Sequence, residues 1–147
     1  GSCVITNSEG KATDLSGIQT TTWKGPDKPS GTTEYDWALN PCHMDQGVCH
    51  EPQYKAYLQQ YGPGGCGGNA FFTTYSSGTG GQGGSIYLTY QGNPTNHAPI
   101  MGREGHVVLK CDPSGSYTTV TNCAVDVEGT GSNYVYTVQC DSKIACA

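Results

Sequence analysis

The chain has 147 residues, of which 22 are Gly, 8 Pro and 8 Cys, with 13% charged and 35% hydrophobic. That length suits one domain, and the Gly excess argues against a helical bundle, since each Gly inside a helix costs about 1 kcal/mol relative to Ala. Seven Lys plus Arg against 12 Asp plus Glu leave a net charge of −5, which phosphate backbones repel, so no nucleic-acid partner is expected.

In chain order, runs of β-branched and aromatic residues bounded by Gly, Pro, Asn and Ser predict strands over Cys3 to Thr6, Gly17 to Trp23 and Thr33 to Leu39. Pro52 to Tyr61 reads as a helix, because Tyr54, Tyr57, Leu58 and Tyr61 fall at i, i+3, i+4 and i+7. Further strands are predicted over Asn69 to Tyr75, Ser85 to Gln91, His106 to Cys111, Tyr117 to Thr121 and Tyr134 to Cys140. The Gly-rich tracts Gly62 to Gly68 and Gly78 to Gly84 read as loops. Strands so spaced imply an all-β sandwich or flattened barrel. Gly1-Ser2 reads as a cloning remnant, leaving residues 3–147 as a single domain. No apolar run of about eighteen residues occurs, so no membrane contact is expected of this segment, although a spanning helix could follow it in a longer parent protein.

Cysteines stand at positions 3, 42, 49, 66, 111, 123, 140 and 146. No Cys-x-x-Cys pair occurs, and Cys42-His43 with Cys49-His50 is not a zinc-finger spacing. The expectation is therefore disulfides, no metal and no cofactor, in an extracellular or secretory-pathway lumen. The Asn93-Pro94-Thr95 triplet is blocked as a glycosylation acceptor by its Pro.

Catalytic signatures are weak. Gly78-Thr79-Gly80-Gly81-Gln82-Gly83 fits the dinucleotide fingerprint, but a strand pattern follows it where that motif needs a helix, so it reads as a hairpin loop. Glu104, Asp126 and Glu128 have no spacing that forces two of them to flank one bond, and they read as acids on solvated loops. There is no G-x-S-x-G elbow. The chain is expected not to be an enzyme.

The C-terminal half carries a more specific pattern. Tyr87-Leu88-Thr89-Tyr90-Gln91-Gly92 is followed by Asn96-His97, then Arg103 eight residues before Cys111, then Tyr136 ten residues before Cys146, which closes an Ala145-Cys146 pair. Upstream, Tyr35 lies seven residues before Cys42. This arrangement resembles the mannose 6-phosphate receptor homology domains, lectin modules of the secretory pathway, over nearly the whole chain. The resemblance implies a disulfide-stabilised flattened β-barrel of two packed sheets that holds a sugar at one end with Gln, Arg, Glu and Tyr. It carries over Arg103 and Tyr136 by their spacing to cysteines, and Glu128 as the only Glu between Cys111 and Tyr136. The family's Gln has no direct match, since Gly67 follows Cys66; Asn69 or Gln82 are the substitutes considered.

The resemblance also implies Cys3–Cys42, Cys111–Cys146 and Cys49–Cys66 bridges and leaves Cys123–Cys140 as an addition to the family pattern. His97 corresponds to the phosphate-side loop of the cation-dependent receptor, where an imidazolium would favour a phosphate; a solvated loop histidine is the plain alternative. Ala98 and Tyr134 stand where that receptor has a bridging cysteine pair, which implies a looser loop and weaker or lost phosphate recognition.

The chemistry of the set is coherent without the family. A guanidinium offers five fixed donors and a carboxylate accepts from neighbouring hydroxyls, so Arg103 and Glu128 suit adjacent ring hydroxyls, with Tyr136 adding a hydroxyl and an aromatic edge. The ordinary alternative is a surface Arg103–Glu128 ion pair worth about 0–1 kcal/mol. The functional expectation is a lectin-like domain binding mannose or mannose 6-phosphate on glycoproteins for sorting in the Golgi, endosome, lysosome or vacuole. Its rivals are a protein-binding module of the same fold, as in sorting or autophagy-linked receptors, and a disulfide-rich structural protein.

Overall fold

A computed structural model describes residues 3–7, 9–26, 34–45, 55–61, 71–80, 84–92, 103–129 and 134–146. Ten strands run through them: β1 (Val4–Thr6), β2 (Ala12–Asp14), β3 (Thr21–Pro26), β4 (Glu34–Leu39), β5 (Leu58–Tyr61), β6 (Phe71–Gly80), β7 (Ser85–Gly92), β8 (Glu104–Cys111), β9 (Thr121–Glu128) and β10 (Val135–Ser142). A short 3-10 turn, Lys143–Ala145, follows β10, capped by the Ser142 hydroxyl, which accepts from the Ile144 amide. Among the described residues no helix is long and apolar enough to cross a membrane.

Period-two alternation produces the C-terminal strands. Ile86, Leu88 and Tyr90 of β7, Val107 and Leu109 of β8, Val125 and Val127 of β9, and Tyr136, Val138 and Cys140 of β10 are buried, while the residues between them face outward. Eight strands form one sheet in the order β3-β4-β5-β6-β7-β8-β10-β9. Neighbours are antiparallel except β8 and β10, which are parallel because the chain passes β10's place to build β9 first. The sheet doubles over on itself. β5 and β6 share two registered pairs, Leu58↔Phe72 and Gln59↔Phe71, a narrow seam between a layer of β3–β5 and a layer of β6–β10.

On the far side the free edges of β3 and β9 meet. Gly25 of β3 has no side chain, and a Cβ there would strike Val125 Cγ1 of β9, so glycine is what lets the two layers close. Trp37, Leu39 and Leu58 from one side of the seam pack with Phe72, Leu88, Tyr90, Leu109, Tyr136 and Val138 from the other in the interior. The β1–β2 hairpin turns on Asn7, whose Oδ1 accepts from the amides of Glu9 and Lys11, and buries Ile5 and Leu15 against this core. The expected class, an all-β disulfide-stabilised flattened barrel, is the one observed.

Three bridges lie among the described residues: Cys3–Cys42, Cys111–Cys146 and Cys123–Cys140. They join the pairs that the resemblance implied and its one addition. In the chain-entropy account a closed loop of this size restricts the unfolded chain by about 3–4 kcal/mol, and such bridges persist in oxidising, secretory or extracellular surroundings. Cys49 and Cys66 fall outside the described residues.

Four sequence expectations need correction. The strand over Gly17 to Trp23 begins only at Thr21, where β3 starts, because the Ile18 amide donates to the Leu15 carbonyl in a turn. The helix over Pro52 to Tyr61 is not formed where described: Leu58–Tyr61 is strand β5, buried at all four positions. Covered on both faces, it shows no period of two, and its tyrosines mimic a helical stripe. The strand over Tyr117 to Thr121 is displaced: β9 begins at Thr121 and bends at Asn122, a left-handed residue (φ 53°) where the register to β10 shifts between Gln139 and Asp141. Gly78–Gly80 is strand rather than loop, the end of β6, where a Cβ on Gly78 would meet Tyr75 Oη, Leu88 Cδ2 and Ile5 Cγ2 as β1 crosses above.

Candidate functional site

The register brings eight strand ends to one end of the barrel: the starts of β4, β6, β8 and β10, and the ends of β3, β5, β7 and β9. The two residues carried over by cysteine spacing meet there. Tyr136 lies opposite Gly105 of β8 and Val127 of β9, points inward and is fully buried. Its ring is fixed by Trp37 (centroids 5.3 Å), Phe72 (5.6 Å, edge-on) and Tyr134 (6.2 Å, edge-on). Arg103, one residue before β8, donates from Nη1 to the Tyr136 hydroxyl at 3.3 Å. Its guanidinium also stands 5.2 Å from the centroid of the Tyr134 ring, a cation–π contact. The Arg103 Nε is buried with no hydrogen-bond partner.

Beside Arg103 opens a cavity of about 140 Å³ lined by Gln91, Gly92, Arg103 and Glu104. Gln91 and Glu104 are cross-strand partners on the outward face of β7 and β8. Glu104 Oε2 lies 3.0 Å from His106 Nε2, and His106 Nδ1 lies 3.3 Å from the Thr89 hydroxyl. In the tautomer that satisfies both, Nε2–H donates to the carboxylate and Nδ1 accepts from Thr89. The cavity thus presents a guanidinium, a primary amide and a carboxylate at one mouth.

Glu128 lies at the same end of the barrel, two strands away from Glu104. It is the last residue of β9, exposed and on the outward side of the alternation, in the row Glu128–Val135–Glu104–Gln91. Two strand spacings, about 10 Å, separate it from Glu104. Among the described residues the ion pairs are Lys24–Asp36 and Glu104–His106, so the ordinary Arg103–Glu128 surface pair is absent. Glu104, Asp126 and Glu128, read as loop acids, all lie on strands. Asn69, Gln82 and His97 fall outside the described residues.

One residue at this end escaped the sequence reading. Gln60 of β5 is paired with Trp37 and shares its inward direction, since Leu58 and Leu39 two residues back form an inward pair as well. It is 3% exposed, and its Nε2 has no hydrogen-bond partner. A helix over Pro52 to Tyr61 gives this amide no inward place; as strand β5, LQQY alternates one inward and one outward amide. Trp23 and Trp37, stacked with centroids 6.2 Å apart, likewise bury indole N–H groups without partners. Buried donors left unpaired cost about 1–3 kcal/mol each, so a group of them at one end of a barrel calls for an acceptor-rich occupant. Among the described residues no group of three His, Cys, Asp or Glu is arranged to hold a metal ion. No protein-family model and no curated protein matches the chain.

Proposed function

We propose that the chain is a non-enzymatic, lectin-like domain of the mannose 6-phosphate receptor homology type, binding mannose or mannose 6-phosphate on glycoproteins in a Golgi, endosomal, lysosomal or vacuolar lumen. The observation that carries this reading is the Arg103–Tyr136 hydrogen bond at the mouth of the barrel, with the unpartnered Arg103 Nε beside a cavity walled by Gln91 and Glu104. A pyranose presents vicinal hydroxyls that both donate and accept. A fixed guanidinium, a carboxylate and amides recognise such a set, because a mismatched sugar leaves buried polar groups unpaired at about 1–3 kcal/mol each. In this reading Arg103 donates to the oxygens of two ring hydroxyls, Tyr136 holds its fork in place, and Gln60 supplies the amide for which Asn69 and Gln82 are the sequence candidates. Glu128 approaches the sugar from the rim.

The test is calorimetric titration with methyl mannoside, mannose 6-phosphate and an unphosphorylated oligomannose, comparing the wild type with Arg103→Ala. Loss of hydrogen bonds to a charged group is worth about 1.5–3 kcal/mol, so affinity for a binding sugar falls roughly tenfold to a hundredfold. No heat with any of the three, on a folded wild type, refutes the carbohydrate reading and leaves the protein-binding module as its successor.

A further inference from the structure

The cavity beside Arg103 has an acid in its wall as well as a base, and the acid is not the one that the family pattern designates. Glu104 lines the same opening as Arg103 and Gln91. Its carboxylate is held on the outward face by His106, which Thr89 braces from the other ring nitrogen. Arg103 is the only cation among the described lining residues, and part of its capacity is already engaged: Nη1 serves Tyr136 and its flat face lies against Tyr134. Glu128, in the same cross-strand row, adds a second carboxylate to the rim.

We propose that Glu104 is the specificity-determining residue of this cavity and selects a neutral sugar over a phosphorylated one. The proposal rests on the carbohydrate reading above and goes beyond it by fixing the charge class of the ligand. A sugar hydroxyl satisfies both walls at once, accepting from the guanidinium and donating to the carboxylate. A phosphate dianion has acceptor oxygens only, so it gains from Arg103 but cannot donate to Glu104, and each of its charges is repelled by that carboxylate. With Glu104 cancelling Arg103, the mouth offers a dianion little net attraction. At separations of about 6 Å and an effective dielectric between those of protein surface and water, one such repulsion lowers affinity by roughly tenfold. Salt at physiological strength screens only part of that at so short a range.

The experiment measures the affinity ratio of methyl mannoside to mannose 6-phosphate for the wild type, Glu104→Gln and Arg103→Ala, at about pH 7.5, above the usual histidine range. Glu104 is part-exposed, so the Gln variant keeps its fold, and its melting temperature is checked alongside. The wild type is expected to favour the neutral sugar about tenfold, and Glu104→Gln to bring the two ligands within about threefold of each other or to reverse them. A wild type that binds the phosphorylated sugar as tightly, or a ratio unmoved by Glu104→Gln, overturns the proposal while leaving the carbohydrate reading intact. Silence with both sugars overturns the carbohydrate reading and the proposal with it, whereas sugar binding indifferent to Arg103→Ala places the sugar away from this cavity and overturns the proposal alone.

Discussion

Gly25 tests whether the barrel is closed. A Cβ at this position of β3 would collide with Val125 Cγ1 of β9 and approach Trp37 Nε1 and Cδ1 to 3.3 and 3.4 Å. Gly25→Ala therefore forces the β3 edge away from β9. Overpacking of this kind costs about 1–3 kcal/mol, and stiffening the unfolded chain returns about 0.4–1 kcal/mol. The net expectation is a loss of about 1–2 kcal/mol, a fall in Tm of roughly 3–8 °C for a domain of this size. Val125→Ala alone removes two buried carbons and destabilises by about 1–3 kcal/mol. Made together, the two changes fit: the new methyl occupies space that the lost ones vacated. The double variant should be less destabilised than the sum of the singles by about 1 kcal/mol or more, read from urea midpoints at constant m-value. Additivity within about 0.5 kcal/mol would mean that β3 and β9 do not touch in solution, and the sheet would be open.

Three further outcomes follow from particular side chains. Tyr136→Phe removes the acceptor of Arg103 Nη1 without changing the volume packed between Trp37 and Phe72; thermal stability should fall by about 1–2 kcal/mol, while sugar affinity in the same calorimetry falls roughly tenfold, and an unchanged affinity would separate Tyr136 from the site. Replacing Cys123 and Cys140 together by Ser opens a 17-residue separation and should cost about 3 kcal/mol in the denaturant titration. Tyr90 is buried with its hydroxyl donating to the Pro41 carbonyl at 2.8 Å, and burial, then the neighbouring Tyr75 and Tyr57, hold it far above the ordinary tyrosine range. The folded state thus retains a proton that the unfolded chain releases above about pH 10, so this contribution is intact below that pH and is lost as pH rises beyond it. Urea midpoints between about pH 9 and 11.5 should decline in the wild type, and Tyr90→Phe should flatten that decline even though it starts from lower stability.

The parts of this fold legible in the sequence are those where one face of a strand is wet. β7, β8 and β10 each carry an apolar residue at every second position, and all three were read within two residues of their observed ends. β5 was misread because burial on both faces erases alternation, and the Gln60 amide was lost with it. β9 also has one wet face, but its strand is predicted four residues early, over Tyr117 to Thr121, with Asp126 and Glu128 read as loop acids, and only the pairing with β10 fixes its bounds. The same distinction governs the site. Arg103 and Tyr136 were found by their distance from cysteines, which are themselves pinned in the sheet. Glu104 and Gln91 have no such anchor: they are thirteen positions apart in sequence, and only the register of β7 on β8 makes them neighbours.

The position of β10 bears on how the protein can be made. The last of the described strands lies inside the sheet, between β8 and β9, and each of its flanks is tied by a bridge: Cys140 to Cys123 of β9, and Cys146, just beyond it, to Cys111 at the end of β8. A chain emerging N-terminus first has nothing to place between those two strands until β10 itself has been extruded. Until then β8 offers an unpaired edge and Cys111 and Cys123 have no partners, the state most open to wrong pairing and aggregation. Completion of the described sheet is therefore timed by residues 135–146, and a nascent chain stalled before that segment would expose a half-built barrel with Cys111 and Cys123 unpaired.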